Sequence, residues 1–206
     1  MQPAIAVRHI ANLVIRPARL LDIHAITQIY AHHVLHGTGT FEIEPPDEIE
    51  MTRRREDVLS RGLPFLVAST QAAGNDAGIE PGERVIGYAY ANVFRVRPAY
   101  RYCVEDSVYV AENIRGRGVG RDLLAKLLSA CEAAGSRQVV AVIGDSRNTS
   151  SIALHRSLGF DDAGVLRAAG WKHGRWLDAV LMQRQLGDGA LCPPEDADAL
   201  PAGVGH

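Results

Sequence analysis

The most constraining feature of the sequence is a strand, a glycine-rich turn, a helix and a second strand that follow one another between residues 102 and 143. Residues 102–110 alternate, with valines on one face and Cys, Glu, Ser and Tyr on the other. Residues 119–134 carry apolar side chains at helical spacing and end before Gly135. The continuously apolar residues 139–143 are typical of a strand covered on both faces. This order predicts a βαβ unit with two parallel strands.

Patterning on either side of that unit predicts further elements. Asp22 caps a helix that stops at Gly37, and Pro45-Pro46 and Gly62 bracket another, whose Arg53-Arg54-Arg55 run is interpreted as a solvated face. Gly, Asn and Pro predict an exposed loop over residues 71–82. The predicted segments are helices at about 23–36, 47–61 and 149–158, and strands at about 13–16, 65–69, 84–93, 164–168 and 176–185.

Length and charge restrict the class of protein. The 206 residues fit one domain, and 47% hydrophobic residues allow a core. A formal charge of -2 gives no global field for nucleic acid or an anionic membrane. No apolar run of about 18 residues or export signal is visible, and three widely spaced cysteines favour neither a disulfide framework nor a zinc site. These observations predict a cytoplasmic protein with an extension at 1–12, a domain at 13–186 and a disordered tail at 187–206.

The segment Arg115-Gly-Arg-Gly-Val-Gly-Arg121 is the strongest chemical signal. Arginines at a helix start oppose the helix dipole, which favours negative charge there. An anionic ligand removes the conflict, because glycines admit phosphate oxygens and free N–H groups donate to them. The spacing differs from the P-loop and dinucleotide fingerprints. A purely structural turn is the alternative.

These residues resemble the GNAT superfamily of acyl-CoA-dependent N-acetyltransferases. Arg115–Gly120 matches its R/Q-x-x-G-x-G/A pyrophosphate loop, and Asn148 with Leu154–Phe160 matches its later motif. The resemblance covers about residues 14–186 and is strongest to the phosphinothricin and methionine sulfoximine N-acetyltransferase branch. The segments similar to that branch are Ala99-Tyr100, Glu105–Val110, Val139–Gly144, Leu166–Gly170 and Lys172–Gly174.

The resemblance implies an α/β GNAT fold, with a strongly twisted mixed sheet splayed near its centre and helices on both faces. It implies acetyl-CoA in the split, with strand backbone on the pantetheine arm and the glycine loop on the pyrophosphate, and a homodimer. The residues it implies for acetyl-CoA are Val108, Tyr109, Val110, Arg115, Gly116, Arg117, Gly118, Val119, Gly120, Arg121 and Asn148.

Two residues are candidates for proton transfer. An ammonium has no lone pair, so amide formation needs a base, and Glu105 occupies the base position of the resembling branch. A carboxylate paired with an arginine is the alternative, and Asp106 is expected on the opposite face. His155 stands where many members carry a tyrosine that protonates the departing thiolate; a structural histidine beneath the cofactor is the alternative.

The acceptor side is less defined. Phe94, Arg97, Tyr100 and Glu105 are predicted to bind the acceptor. Arg97 and Tyr100 would hold its carboxylate or phosphinate and Glu105 would receive its amine, with solvated loop residues as the alternative for the segment 94–100. Residues 171–173 fall in a turn that can overhang the acceptor or meet a second subunit. A metal site at the histidines of residues 32–36 is disfavoured, because the HExxH glutamate and a third ligand are missing. No metal is therefore expected.

The sequence thus predicts direct transfer from acetyl-CoA to the amine of a small amino-acid-like acceptor of the phosphinothricin, methionine sulfoximine or methionine sulfone type. One alternative is acetylation of another small amine or a protein N-terminus. The other is a non-catalytic acyl-CoA-binding sensor, against which Glu105 and the anion-gripping loop argue.

Overall fold

The computed structural model describes residues 10–72 and 82–194. Most of the predicted extension and tail, and most of the loop at 71–82, lie outside these residues. The described residues form four helices and seven strands. The helices are α1 (Ile23–His36), α2 (Glu48–Ser60), α3 (Val119–Ala133) and α4 (Thr149–Ser157); the strands are β1 (Val14–Pro17), β2 (Phe65–Ala72), β3 (Gly82–Val93), β4 (Cys103–Val110), β5 (Gln138–Gly144), β6 (Asp161–Lys172) and β7 (Arg175–Gln185).

All seven strands form one mixed sheet, in the order β1-β2-β3-β4-β5-β7-β6. Only β4 and β5 pair in parallel, and the remaining neighbours are antiparallel. Because α3 connects the two parallel strands, the predicted βαβ unit is confirmed at the centre of the sheet. The predicted mixed sheet is confirmed as well.

The sheet opens at its centre. β4 pairs with β5 only over Cys103–Asp106, opposite residues 138–141 of β5. Beyond this point β4 stays paired with β3 as far as Val110, while β5 stays paired with β7 as far as Gly144. The two strands therefore part after Asp106 and leave a fork, which is the splay that the resemblance implied.

Hydrophobic cores cover both faces of the sheet. Leu123 and Leu127 of α3 pack with Ala89 of β3 in one cluster, and Ile26 of α1 packs with Tyr88 of β3 in another. Adjacent strand residues point to opposite faces, so Tyr88 and Ala89 place the two clusters on different sides of the sheet. The prediction of helices on both faces is confirmed.

Two expectations need correction. The arginine run of α2 is not simply a solvated face: Arg54 is half-buried and forms ion pairs with Glu42 and Glu50, at 2.6 and 2.7 Å, and Arg55 donates to the Ala18 carbonyl at 2.6 Å. The strand predicted at 164–168 is part of the longer β6. Most of β6 is exposed, so burial patterning could not mark its ends, which are set by pairing with β7.

Among the described residues, no helix is both long and apolar enough to span a bilayer. Cys103, Cys131 and Cys192 are free thiols.

Candidate functional site

A cavity of about 750 Å³ occupies the fork between β4 and β5. Its walls come from the ends of those two strands, the end of α1 with the segment after it, the turn before α3 and the start of α4. The volume falls within the range of small-molecule sites. The cavity contains all the residues predicted for acetyl-CoA except Arg117, and both residues predicted for proton transfer, Glu105 and His155.

One end of the cavity is formed by the glycine turn. Gly116 and Gly118 have φ of +74° and +86°, left-handed values that favour glycine, and α3 begins directly after them at Val119. No side chain of the described residues caps this helix. The N–H groups at the start of a helix lack intrahelical partners, and here the Arg121 N–H is the first to donate back, to the Gly118 carbonyl at 2.9 Å. The N–H groups of Val119 and Gly120 are therefore available to an anion at this end of the cavity. Arg115 and Arg121 line the same end, whereas Arg117 is exposed outside it.

A buried histidine connects α1 to this turn. His33 Nε2 donates to the Val110 carbonyl at 2.9 Å, and its Nδ1 accepts from Arg115 Nη2 at 3.3 Å. Burial lowers the pKa of His33, and the Arg115 charge lowers it further against the effect of the Val110 carbonyl. The neutral tautomer therefore positions Arg115 beside the end of β4. The sequence suggested His33 only as a disfavoured metal ligand.

Glu105 projects into the cavity from β4, just before the strands part. Its side chain is half-buried. Burial raises its pKa, the nearby Asp106 charge raises it further, and the Arg95 charge opposes both. A more basic carboxylate is better suited to accept a proton from an amine.

Asp106 points to the opposite face, as predicted, and contacts His155 of α4. Asp106 Oδ2 lies 3.0 Å from His155 Nε2, and His155 Nδ1 lies 2.7 Å from the Ser151 carbonyl oxygen. Burial lowers the pKa of His155, but the hydrogen bond to Asp106 and the charge of Asp106, together with the Ser151 carbonyl, outweigh it, so the pKa is raised. Sequence reasoning did not include Asp106 in the site. Its available signal was a carboxylate among the valines of an otherwise apolar strand face.

The predicted acceptor residues Phe94, Arg97 and Tyr100 lie between β3 and β4 and do not line the cavity in the described structure. Phe94 and Tyr100 contact each other edge to face, while Arg97 is exposed. The walls on the α1 side are instead formed by five residues that the sequence did not predict for the site. Three of them are aromatic, and aromatic residues usually indicate core. The five residues are Tyr30, Thr40, Phe41, Tyr90 and Ser107.

The segment after α1 is held against the end of β5. A Cβ on Gly144 would collide with the Thr38 carbonyl, so only glycine permits this approach. Lys172, buried at the end of β6, donates to the Thr40 carbonyl at 2.9 Å. Burial lowers the Lys172 pKa, and the charge of Glu42 opposes this effect. These contacts fix Thr40 and Phe41 as part of the cavity wall.

The histidines at the end of α1 pair with other groups. His32 Nε2 lies 3.4 Å from Glu112 Oε2, and the rings of His32 and His36 are 5.0 Å apart. Within the two described ranges, no three His, Cys, Asp or Glu side chains are arranged as ligands for a metal ion.

Known proteins share both the sequence and this architecture. A phosphinothricin N-acetyltransferase of Alcaligenes faecalis is 49% identical over 181 residues, which are 88% of this chain and 86% of the relative. An L-methionine sulfoximine/L-methionine sulfone acetyltransferase of Salmonella typhimurium is 36% identical over 86% of this chain and 97% of its own. The crystal structure of a phosphinothricin acetyltransferase from Sinorhizobium meliloti, in complex with acetyl-CoA, superposes with a TM-score of 0.81 at 45% identity, covering 90% of this chain and 94% of that one.

The profile of the Acetyltransferase (GNAT) family matches residues 29–160, which include the fork, the glycine turn and α4. Together with the identity to the relatives over most of the chain, this match shows that the protein belongs to the GNAT family of acetyltransferases.

Proposed function

We propose that the protein transfers the acetyl group of acetyl-CoA to the amine of a small amino-acid-like acceptor. The observation that carries the proposal is a single cavity, in the fork of the sheet, with an anion-binding helix start at one end and Glu105 beside the last parallel pair. This arrangement provides a site for the phosphates of the donor and a base for the acceptor.

The residues present fit acetyl-CoA. Backbone N–H groups at the start of α3, with Arg115 and Arg121, are placed for the pyrophosphate. The unpaired edge of β4 over Val108–Val110 offers peptide groups to the amides of the pantetheine arm, and Asn148 lies at the β5 side of the cavity. The bound donor supplies an activated acyl thioester.

Glu105 acts as the general base in this proposal, directly or through one water. It accepts a proton from the amine nitrogen, whose lone pair then attacks the thioester carbonyl carbon. A C–N bond forms, the C–S bond breaks, and the thiolate leaves with the electron pair. The nitrogen then loses its second proton, which the thiolate takes up, so that the products are the amide and the free thiol. The raised pKa of Glu105 brings its basicity closer to that of the amine.

His155 enters the proposal as a structural residue beneath the donor. Both of its ring nitrogens already face protein acceptors, Asp106 Oδ2 and the Ser151 carbonyl. This arrangement supports the structural alternative over direct proton delivery to the thiolate.

An amino-acid-like acceptor is supported by the names of the relatives, which are acetyltransferases for phosphinothricin and for methionine sulfoximine or sulfone. Arg97 and Tyr100, with Phe94, would hold the acceptor carboxylate or its second oxygen-bearing group by moving over the cavity mouth. The charge of Arg95 on Glu105 supports this placement, because it puts the start of the same segment near the base.

The proposal also includes an oligomeric state and a cellular location. A homodimer is supported by the exposed β6–β7 hairpin, where Trp171 and Trp176 are 55% and 62% exposed. A cytoplasmic location is supported by the free thiol of Cys103 and by the exposed one of Cys192.

The decisive experiment is a thiol-release assay with acetyl-CoA and a panel of acceptors: phosphinothricin, methionine sulfoximine, methionine sulfone, a simple alkylamine and an unstructured peptide. We expect the three amino-acid analogues to have the highest kcat/KM. Equal values for the peptide would favour a protein N-terminus as substrate. Binding of acetyl-CoA without thiol release from any acceptor would favour the sensor.

A further inference from the structure

Asp106 and His155 form a buried pair on the face of the sheet opposite to Glu105. Asp106 is 7% exposed and His155 is 4% exposed. The contacts of the imidazole are Asp106 Oδ2 at 3.0 Å from Nε2 and the Ser151 carbonyl at 2.7 Å from Nδ1. Both nitrogens therefore face oxygen acceptors at hydrogen-bond distance.

The two contacts favour a doubly protonated ring beside an ionised Asp106. A carbonyl oxygen can only accept, so Nδ1 carries a hydrogen. A neutral imidazole has one N–H, which would leave the Nε2 lone pair directed at the carboxylate. A second hydrogen on Nε2 removes this conflict and gives a charge-assisted bond.

We propose that Asp106 is a positioning residue that keeps His155 doubly protonated and fixed beside the fork of the cavity. The inference rests on the proposed acetyl transfer, for which it adds a residue that does not itself touch the reacting amine. Asp106 and Ala141 are the last parallel pair of β4 and β5, and His155 lies on α4. The ion pair thus anchors α4 at the point where the strands part.

Groups from β4, from α3 and from the residues after α4 surround the pair. Glu105 is adjacent on β4, and the buried Cys131 of α3 feels the charge of Asp106, which adds to the effect of burial in raising the pKa of that thiol to about 12. The Phe160 ring contacts the imidazole edge to face, with centroids 5.0 Å apart. Asp106 Oδ1 is buried without a partner among the described residues. The bond from Oδ2 to His155 is therefore what offsets the cost of burying this carboxylate.

Removing the charge of Asp106 should therefore lower two pKa values, that of His155 and that of Glu105. Asp106→Asn removes the anion that favours the His155 cation, so the His155 pKa should fall. It also removes the negative charge that raises the pKa of Glu105, so that pKa should fall as well. A purely structural role for Asp106 would change stability without moving either titration.

The test is a nitrogen-15 NMR titration of the imidazoles in the full chain, with His155 assigned from the His155→Gln variant. In the wild type we expect the titration midpoint of His155 to lie above the ordinary value of a histidine, with both nitrogens protonated below that midpoint. In Asp106→Asn the midpoint should fall by about 1 to 3 pH units. Asp22→Asn, which breaks the buried pair with Arg16 far from this histidine, is the matched control and should leave the midpoint unchanged.

A wild-type His155 midpoint at or below the ordinary value of a histidine would overturn the proposal, as would an unchanged midpoint in a folded Asp106→Asn protein. If Asp106→Asn does not fold, the wild-type titration still decides the protonation state. In the thiol-release assay, the acid side of the kcat/KM profile should move to lower pH in Asp106→Asn, through Glu105. Absence of thiol release by the wild type would overturn the acetyl transfer alone, because the titration needs no substrate.

Discussion

The two ends of the cavity are built in different ways. The end that we propose for acetyl-CoA, called the donor end, is made mainly of backbone within one short stretch, from the open edge of β4 to the first turn of α3. The end that we propose for the amine substrate, called the acceptor end, is made of side chains from α1, the segment after it, β3 and β4. A backbone site depends on glycine positions that can be recognised locally, whereas a side-chain site depends on tertiary contacts between distant segments.

The largest effect should come from the residue where the two ends meet. Glu105→Gln keeps the shape of the side chain but cannot accept a proton, so kcat should fall by about 10² to 10⁴ while the Kd for acetyl-CoA stays nearly constant. Glu132→Gln on the exposed side of α3 is the control and should keep wild-type turnover. Wild-type turnover in Glu105→Gln would assign Glu105 a structural role.

The pH profile sharpens this prediction. As the pH is lowered, kcat/KM should decline when Glu105 becomes protonated. Because the pKa of Glu105 is raised, the midpoint of this decline should lie above the ordinary glutamate value of 4.5. A carboxylate with a raised pKa is protonated, and so inactive as a base, over this lower range. Glu105→Gln should lose this decline, and high pH should partly restore its rate because more of the amine is already neutral.

At the donor end, Gly118→Asp should weaken acetyl-CoA binding by roughly ten- to hundredfold, since it places a negative side chain at the helix start that repels the phosphates and competes for the same N–H donors. Gly62→Asp is a close control: Gly62 also has a left-handed φ, of +71°, but follows α2 outside the cavity. Calorimetry should show weakened binding for the first variant only. Equal affinity in folded Gly118→Asp would contradict the assignment of the phosphate site.

At the acceptor end, Arg97→Ala should raise KM for an amino-acid analogue by about fivefold, the size of a partly exposed ion pair, without changing KM for an alkylamine or for acetyl-CoA. Arg84→Ala, an exposed arginine of β3, is the control. Unchanged KM in Arg97→Ala would limit the acceptor site to the walls already seen in the structure, such as Tyr30 and Tyr90.

The smallest effect should follow removal of the residues after position 194. The described wall residues of the cavity all lie before position 156, so Tm and kcat should stay close to those of the full chain. Calorimetry and the thiol-release assay measure the two quantities. A fall of several degrees in Tm would show that the C-terminal residues contribute to the stability of the domain.

Much of the fold could be predicted from the hydrophobic periodicity and from the residues that begin and end helices. The helix after Asp22 ends before Gly37 as expected, and Asp47 caps α2 by accepting from the Glu50 N–H. The exposed β6 was predicted too short, because its extent depends on pairing with β7 rather than on burial. The roles of Arg54 and Arg55 were missed for a similar reason, since their partners Glu42 and Ala18 are supplied by other segments.

The candidate site shows the same limit. The alternation in β4 predicted correctly that Glu105 and Asp106 point to opposite faces, but not which partner the second carboxylate would meet. His155 lies 49 residues from Asp106 along the chain, and their contact depends on how α4 packs against the sheet. The position of His33 between Val110 and Arg115 likewise follows from the packing of α1.

The fork also places an open strand edge inside the sheet instead of at its border. An edge at the border can recruit strands of other chains, and proteins commonly protect it with charges, bulges or covering segments. Here the edge faces the cavity between β4 and β5, so a ligand reaches it only if its chain is narrow enough to enter between the two strands. The same polar groups that would promote aggregation elsewhere are therefore reserved for an extended ligand that carries amide groups of its own, and access to the edge is controlled by width.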